Sequence, residues 1–279
     1  MPFRDIDTTS LRDFVLNERR DASLWLFMHI PKTAGSSLSE AMQELMSPYR
    51  NIQIDYSNEN LSHNKKLDIS TEQFIADFGE KQYRSASGHV PYDLVNKIRK
   101  SIPKTKIVTF LRDPVSRVVS DYRYQRTPQH PPYESFKKKF PTLESYIDSV
   151  ESQNKIARFV GGRGVNLSSI DLKERLDNDF SFVGLLEMYP LSYNIMFHLF
   201  GSAGQFPKVH ARKTPDNSDT KVEVTEKIIQ MIKDNNKLDS DIYSHVKIKL
   251  TAARETWQEY LKSGFPEEWQ EQNEIKAPS

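Results

Sequence analysis

Apolar residues follow two spacings along this chain, and each spacing predicts a different element. Residues 24–30 (LWLFMHI) and 106–111 (KIVTFL) are short continuous apolar runs, the pattern of buried strands in a parallel sheet. After each run, apolar residues recur three or four positions apart, which is typical of amphipathic helices. Two strand–loop–helix units predict an α/β fold with a central, mainly parallel sheet flanked by helices.

The helix of the first unit has a start and a stop that can be predicted from residue types. Apolar residues recur at helical spacing over 38–45, and Pro48 ends the pattern. Ser36 and Ser37 carry hydroxyls of the kind that cap helix N-termini. We therefore expect the helix to begin at this serine pair.

A second helix and a third strand follow from the same reasoning. The helix has Pro114 in its first turn, Asp113 as the capping residue, and apolar residues on one face over 115–122. Residues 180–186 form the third strand candidate, and the helix after it is expected to end at Gly201.

The remaining segments are less periodic. Residues 57–70 are polar, and we expect them to form a loop at the surface. The pattern of residues 71–78 predicts a helix. The four prolines of 127–141 predict an irregular loop, and 221–261 predicts mostly helix. With no composition break between these segments, we expect one domain over 1–279.

Composition and charge exclude several classes of protein. The chain has 279 residues, 37% of them hydrophobic, and 39 Lys+Arg against 38 Asp+Glu give a formal net charge of +1. Such a balance provides no global field for nucleic acid or an anionic membrane. Cysteine is absent, which excludes disulfides, thiolate metal ligands and a cysteine nucleophile. The N-terminal segment lacks the apolar core of a signal peptide, and the run 24–30 is too short to span a bilayer, which predicts a cytoplasmic protein.

The loop after the first strand carries the strongest chemical signal. Its sequence, HIPKTAGSS (29–37), stands between a strand and a helix, where backbone N–H groups bind anions. It also offers the Lys32 ammonium and three hydroxyls, those of Thr33, Ser36 and Ser37. It is not a Walker A motif, because Lys32 precedes Gly35 and no Gly-Lys-Ser/Thr sequence is present. The loop predicts an anion site that differs from that of an ATPase.

Several segments together resemble one known family. The loop 29–37 resembles the 5′-phosphosulfate loop of PAPS-dependent sulfotransferases, and is closest to the carbohydrate branch that includes heparan sulfate 2-O-sulfotransferase. Residues 110–124 (FLRDPVSRVVSDYRY) resemble the 3′-phosphate motif of that family, an Arg followed eight residues later by a Ser. Shorter matches occur at 87–90 (SGHV), 153–154 (QN) and 182–187 (FVGLLE). The resemblance implies a P-loop-like three-layer fold.

The resemblance also implies a donor and the residues that bind it. The donor would be PAPS, with PAP as product, and a donor-binding core over about 24–200 would precede a helical part over about 221–262. The 5′-phosphosulfate would be held by Lys32, Thr33, Ala34, Gly35, Ser36 and Ser37, and the 3′-phosphate by Arg112 and Ser120. Neither the chemistry nor the sequence calls for a metal, since no His/Asp/Glu cluster has ligand spacing.

Two residues are expected to act in catalysis. Lys32 is suited to the charge that develops on the bridging oxygen of the donor. In related carbohydrate sulfotransferases a His in a Gly-His-Val context faces the donor sulfur, so the resemblance makes His89 the general base. His29 is expected to brace the loop. Gln153 and Asn154 match a region that in relatives faces the acceptor or the donor sulfur.

The acceptor is predicted only as a class. The Gly-His-Val pattern favours a carbohydrate hydroxyl, and a cytoplasmic bacterial enzyme fits the sequence better than a membrane-anchored one. The sequence assigns no role to 127–141 or 205–220, and gives neither the oligomeric state nor whether the chain is part of a longer protein.

Two other functions compete with this interpretation. A nucleotide-dependent kinase or phosphotransferase would need a Gly-Lys-Ser/Thr loop and a metal-binding acid at a strand end. Asp113 follows a strand but is expected to cap a helix instead. A binding module without catalysis would need neither Lys32 nor a base at position 89. Should His89 not be the base, His29 and Glu187 are the next candidates.

Overall fold

A sheet of five parallel strands forms the centre of the protein. In the computed structural model, which describes residues 2–19, 22–57, 60–130, 132–202 and 220–262, the strand order is β2–β3–β1–β4–β5. The strands are β1 (Leu24–Met28), β2 (Tyr49–Ile52), β3 (Ser85–Gly88), β4 (Thr105–Leu111) and β5 (Phe182–Leu185). All four pairings are parallel. The predicted α/β fold with a parallel sheet flanked by helices is confirmed.

The three strands predicted from apolar runs are present, and two others lacked that signal. β1 and β4 lie at the centre of the sheet and are almost entirely buried. β2 (YRNI) and β3 (SASG) have no continuous apolar run. Their backbones form the sheet all the same: β2 pairs with β3 from Tyr49↔Ser85 to Ile52↔Gly88, and β3 also pairs with β1. A buried strand of small polar residues gives no hydropathy signal.

Helices precede, connect and follow the strands. α1 (Leu11–Arg19) precedes β1. Between the strands run α2 (Gly35–Leu45), α3 (His63–Lys81), α4 (Tyr92–Ser101), α5 (Pro114–Gln125), α6 (Tyr133–Lys139), α7 (Leu143–Ile147), α8 (Lys155–Gly161) and α9 (Ser169–Asp179). After β5 come α10 (Tyr189–Phe200), α11 (Glu226–Asn235) and α12 (Lys237–Lys262). Two short 3-10 helices cover Phe3–Asp5 and Leu186–Met188. Within the described ranges no helix is both long and apolar enough to cross a membrane.

Helix starts differ from the predictions at two places. α2 begins at Gly35, not at a capping serine, because Ala34 takes a left-handed conformation (φ 74°) and turns the chain into the helix. α3 begins at His63, inside the segment predicted as a surface loop, and the Ser62 side chain accepts a hydrogen bond from the Lys65 N–H. The prediction for α5 is confirmed, since the Asp113 carboxylate accepts from the Ser116 N–H at 2.9 Å.

The segment 127–141 is more ordered than its prolines suggest. It contains α6, whose Phe136 is buried in a small core formed by α5, α6, α7 and α11. Tyr122 and Tyr146 pack against Phe136 at ring-centroid distances of 6.0 and 5.4 Å. The prediction of an irregular loop was wrong here, because long-range aromatic packing stabilises a short helix that local propensity does not. Most of the segment 205–220 lies outside the described residues.

α8 and α12 cap each other across more than eighty residues of sequence. The Asp239 carboxylate accepts from the N–H groups of Ile156 and Ala157, at 3.2 and 2.8 Å. In return, the Asn154 Oδ1 accepts from the N–H groups of Leu238 and Asp239, at 3.1 and 3.3 Å. Each side chain thereby satisfies backbone donors at the start of the other helix. The predicted C-terminal helices are confirmed, and this contact connects them to the strand-bearing part of the chain.

Candidate functional site

Three strand ends bring the predicted site residues together. Met28 pairs with Gly88 on one side and with Thr109 on the other, so β1, β3 and β4 end at the same edge of the sheet. His29, His89 and Arg112 follow directly. In open parallel sheets, ligand sites lie at this carboxyl edge. The structure therefore places the two sequence motifs and the Gly-His-Val segment side by side.

The loop between β1 and α2 turns through two left-handed residues. Lys32 has φ 69° and Ala34 has φ 74°, conformations that non-glycine residues adopt rarely. Among the described residues no side chain caps α2, so its first N–H groups stay available to an anion. Ser36 is exposed and lines the adjoining cleft. Thr33 is buried, and its Oγ1 donates to the Ile30 carbonyl at 2.8 Å, so any contact with a donor would come from its backbone.

Gly35 is required by the ring that covers it. A Cβ at this position would lie 1.8 Å from Cδ2 and Nε2 of His29. The His29 ring in turn stacks on Phe27, with centroids 5.6 Å apart, and lies 4.1 Å from the His89 ring. Burial, with the charges of His89 and Lys32, holds the pKa of His29 well below its ordinary value. His29 is thus a neutral ring that packs against the loop.

His89 is held with one nitrogen toward the cleft. Its Nδ1 lies 2.8 Å from the His29 carbonyl, which only accepts, so Nδ1 carries the proton. In the neutral ring, Nε2 is then an unprotonated acceptor. The His89 side chain is exposed to solvent, but it lies in a concave region. Protein atoms around it desolvate the ring, and this desolvation lowers the pKa of His89. An imidazole in this state can accept a proton from a group in the cleft.

The Lys32 ammonium lies over the face of Tyr124. The Nζ atom is 3.9 Å from the ring centroid. Burial lowers the pKa of Lys32, and the nearby Asp121 carboxylate opposes that effect. Tyr124 is in the last turn of α5 and lines the cleft. It belongs to the motif 110–124, but no residue pattern marked it as a site residue.

Arg112 links the second motif to the loop. Its Nη1 donates to the Lys32 carbonyl at 3.2 Å, and its Nε is buried without a hydrogen-bond partner in the described part of the chain. Burial lowers the pKa of Arg112, and Glu187 counteracts that effect. Ser120, eight residues later on α5, is half-buried. Glu187 accepts from the Asp113 N–H and the Tyr243 hydroxyl, so it is committed to local bracing.

A buried network of charged side chains around Asp121 lies next to the site. Asp121 is 4% exposed and accepts from Arg117, Tyr146 and Lys155, with Nζ of Lys155 at 2.5 Å. Lys155 also lines the cleft that His89 faces. The (i, i+4) spacing of Arg117 and Asp121 is a sequence signal for an ion pair, but nothing in the sequence indicates that Lys155 joins it.

Gln153 and Asn154 lie outside the cleft lining. Gln153 Nε2 donates to the Ile147 carbonyl and to Asn235 Oδ1, both at 3.3 Å. The Asn154 side chain is engaged with the start of α12, as described above. These contacts favour a structural role for both residues over the expected role in acceptor binding.

A cleft of 1380 Å³ opens beside His89. Its charged and aromatic lining includes Lys155, Arg158, Arg163 and Tyr56. Amide side chains are frequent on its walls, namely Gln43, Asn51, Gln53, Asn64 and Asn166. In the described ranges no group of three or more His, Asp or Glu side chains could hold a metal ion.

The chain was compared with known proteins by sequence and by structure. No curated protein matches the chain. A solved structure of mouse sulfotransferase SULT7A1 complexed with PAP is similar to 87% of this chain and to 71% of that one, with 14% identity and a TM-score of 0.37. The sequence model of the sulfotransferase family matches residues 19–162, just over half of the chain, and spans both motifs. The chain therefore belongs to the sulfotransferase family.

Proposed function

We propose that this protein transfers a sulfuryl group from PAPS to a hydroxyl group of an acceptor and releases PAP. The observation that carries the proposal is a pair of adjacent anion-binding positions at one sheet edge. The first is the uncapped start of α2 with Lys32, and the second is Arg112, whose Nε is buried and unpaired in the described part of the chain. PAPS carries a phosphosulfate on its 5′ carbon and a phosphate on its 3′ carbon, and so requires two such positions.

The residues present fit this donor. The N–H groups of Gly35, Ser36 and Ser37 lie in the first turn of α2, where the helix dipole favours negative charge. Arg112 presents a planar guanidinium fork that suits a phosphate bidentately. We assign Lys32, the backbone of 33–35, Ser36 and Ser37 to the 5′ end of the donor, and Arg112 with Ser120 to the 3′-phosphate.

Two side chains would perform the chemistry. The reaction breaks the bond between sulfur and the bridging oxygen and forms a bond between sulfur and the acceptor oxygen. His89 Nε2 takes the acceptor proton, which its fixed tautomer and lowered pKa allow at neutral pH. The Lys32 ammonium stabilises the negative charge that develops on the bridging oxygen of PAP.

The cleft beside His89 supports a carbohydrate acceptor. Amide side chains offer donors and acceptors at fixed separation, which suits neighbouring hydroxyl groups. Tyr56 is 64% exposed and offers a ring face at the cleft wall. A polar cleft with an exposed aromatic residue suits a molecule with both hydroxyl groups and C–H surfaces. We therefore favour a sugar hydroxyl over a purely apolar alcohol.

A phosphotransferase is the alternative that the geometry disfavours. Asp113 is the acid that follows β4 most closely, and its carboxylate caps α5, while Asp121, further along the motif, is paired with Arg117 and Lys155. The loop at 29–37 lacks the hydroxyl directly after a Gly-Lys pair that would hold Mg²⁺. The site therefore has neither of the metal-binding parts on which such enzymes depend.

Calorimetric titration with PAP and with AMP tests the proposal. The two nucleotides share the 5′-phosphate, and only PAP has the 3′-phosphate. We expect PAP to bind at least about tenfold more tightly, the low end of what a charge-assisted contact provides. In the Arg112→Ala variant the two affinities should converge. Equal affinities in the wild-type protein would contradict the proposal.

A further inference from the structure

Lys32 is fixed at both ends, and different residues hold each end. The backbone end is held in a left-handed conformation, and its carbonyl accepts from Arg112 at 3.2 Å. The ammonium end lies 3.9 Å from the centroid of the Tyr124 ring, well inside the range of a cation–π contact. The arrangement limits where the ammonium can lie before a donor arrives.

Tyr124 contacts Lys32 through its ring face, and its polar groups point to other partners. Its carbonyl accepts from the Thr127 N–H and from Thr127 Oγ1, at 3.0 and 2.7 Å. Its hydroxyl reaches the Gln129 carbonyl only at 3.4 Å, a weak contact. The contact with Lys32 therefore depends on the ring and little on the hydroxyl.

The ring holds the ammonium without neutralising it. Of the residues that the structure describes, none places a carboxylate within ion-pair distance of Lys32, and Asp121, one turn before Tyr124, is paired with Arg117 and Lys155. A carboxylate partner would compete with an anionic donor for the ammonium. A ring face attracts a cation more weakly and leaves its full charge available.

We propose that Tyr124 is a positioning residue that orders the Lys32 ammonium on the donor side of the cleft. The proposal rests on the function proposed above, in which Lys32 acts on the bridging oxygen. Tyr124 acts only through Lys32 and contributes no proton to the reaction.

A double-mutant cycle in the full chain tests it. PAPS turnover, measured as PAP formation, should fall about 2- to 30-fold in Tyr124→Leu, the range of cation–π energies, and stay within twofold in Tyr124→Phe. In a Lys32→Ala background, Tyr124→Leu should have no further effect, because the group it positions is gone. PAP affinity should stay within about threefold, since the proposed role of the ring is to place the Lys32 ammonium for the charge that develops during transfer.

Tyr133→Leu is the matched control, because it removes a second cation–π contact, with Lys137 at 5.0 Å, far along the chain from the loop. Its turnover should match that of the wild type. Equal losses from Tyr124→Leu in the wild-type and Lys32→Ala backgrounds would overturn the proposal. If Tyr124→Leu does not fold, phenylalanines with increasing fluorination can replace Tyr124, because they keep the shape of the ring while weakening its attraction for a cation. An unchanged turnover rate across that series would also overturn the proposal. Failure of the wild type to bind PAP would instead contradict the proposed function.

Discussion

The substitution Gly35→Ala tests how closely the loop depends on the His29 ring. The new Cβ would lie 1.8 Å from two ring atoms, whereas ordinary contacts begin at 3.4 Å, so the ring must retreat by about 1.6 Å. It cannot do so freely, because it stacks between Phe27 and His89. Overpacking of this kind typically destabilises by about 1–3 kcal/mol.

The same displacement should reach His89, the proposed catalytic base. His89 is bonded through Nδ1 to the His29 carbonyl and lies against its ring. Since misplacing a reacting group by about 1 Å can reduce the rate by about 10²-fold, we expect turnover to fall by one to two orders of magnitude. Stability should fall with it, by about 2–4 °C in Tm for each kcal/mol in a chain of this size.

Thermal unfolding and PAPS turnover of matched alanine variants provide the assay. Gly79→Ala is the control, because a Cβ at that position, in the last turn of α3, meets nothing within 4 Å. It should leave turnover unchanged and raise stability by up to about 1 kcal/mol, the difference between Gly and Ala in a helix. A Gly35→Ala protein with wild-type Tm and turnover would refute the reasoning. In a His29→Ala background the clashing ring is absent, so a loss of stability from Gly35→Ala as large as that in the wild type would refute it as well.

Three further predictions follow from other contacts. Arg112→Ala should weaken PAP binding by about 1.5–3 kcal/mol and leave AMP binding unchanged, by calorimetry; equal losses would make Arg112 structural. The value of kcat should rise with pH, with the midpoint of the rise below pH 6.5, because the proposed base works only as neutral imidazole and burial lowers the pKa of His89. A midpoint above pH 6.5 would contradict this. Asn154→Ala should lower the free energy of unfolding by about 0.5–2 kcal/mol while PAP affinity persists, and a loss of PAP affinity alone would return this residue to the binding site.

Much of the fold could be predicted because its central strands are apolar. β1 and β4 are continuous apolar runs, and each leads into a loop and a helix that periodicity identifies. β3 could not be predicted in this way, since SASG is buried by its neighbours and not by its own hydropathy. The helix α6 was missed for a related reason: Phe136 is buried by residues far along the chain.

The residues of the candidate site could be proposed from the sequence, but the contacts between them could not. Lys32, His89 and Arg112 stand in local motifs, and parallel strands bring those motifs to one edge. The contacts that refine their roles are long-range: Lys32 with Tyr124, and Asn154 with the start of α12. No local pattern encodes a partner more than eighty residues away, so such contacts require the structure.

Transfer of labelled sulfate from PAPS tests the central claim most directly. Wild-type protein and His89→Ala are incubated with ³⁵S-labelled PAPS and a panel of oligosaccharides, and labelled product and PAP are quantified together. We expect label and PAP to appear in equal amounts with the wild type, and the rate to fall about 10²–10⁴-fold in His89→Ala while PAP affinity persists. A wild-type protein that binds PAP but transfers no label to any hydroxyl acceptor, or a His89→Ala variant that transfers at the wild-type rate, would contradict the account.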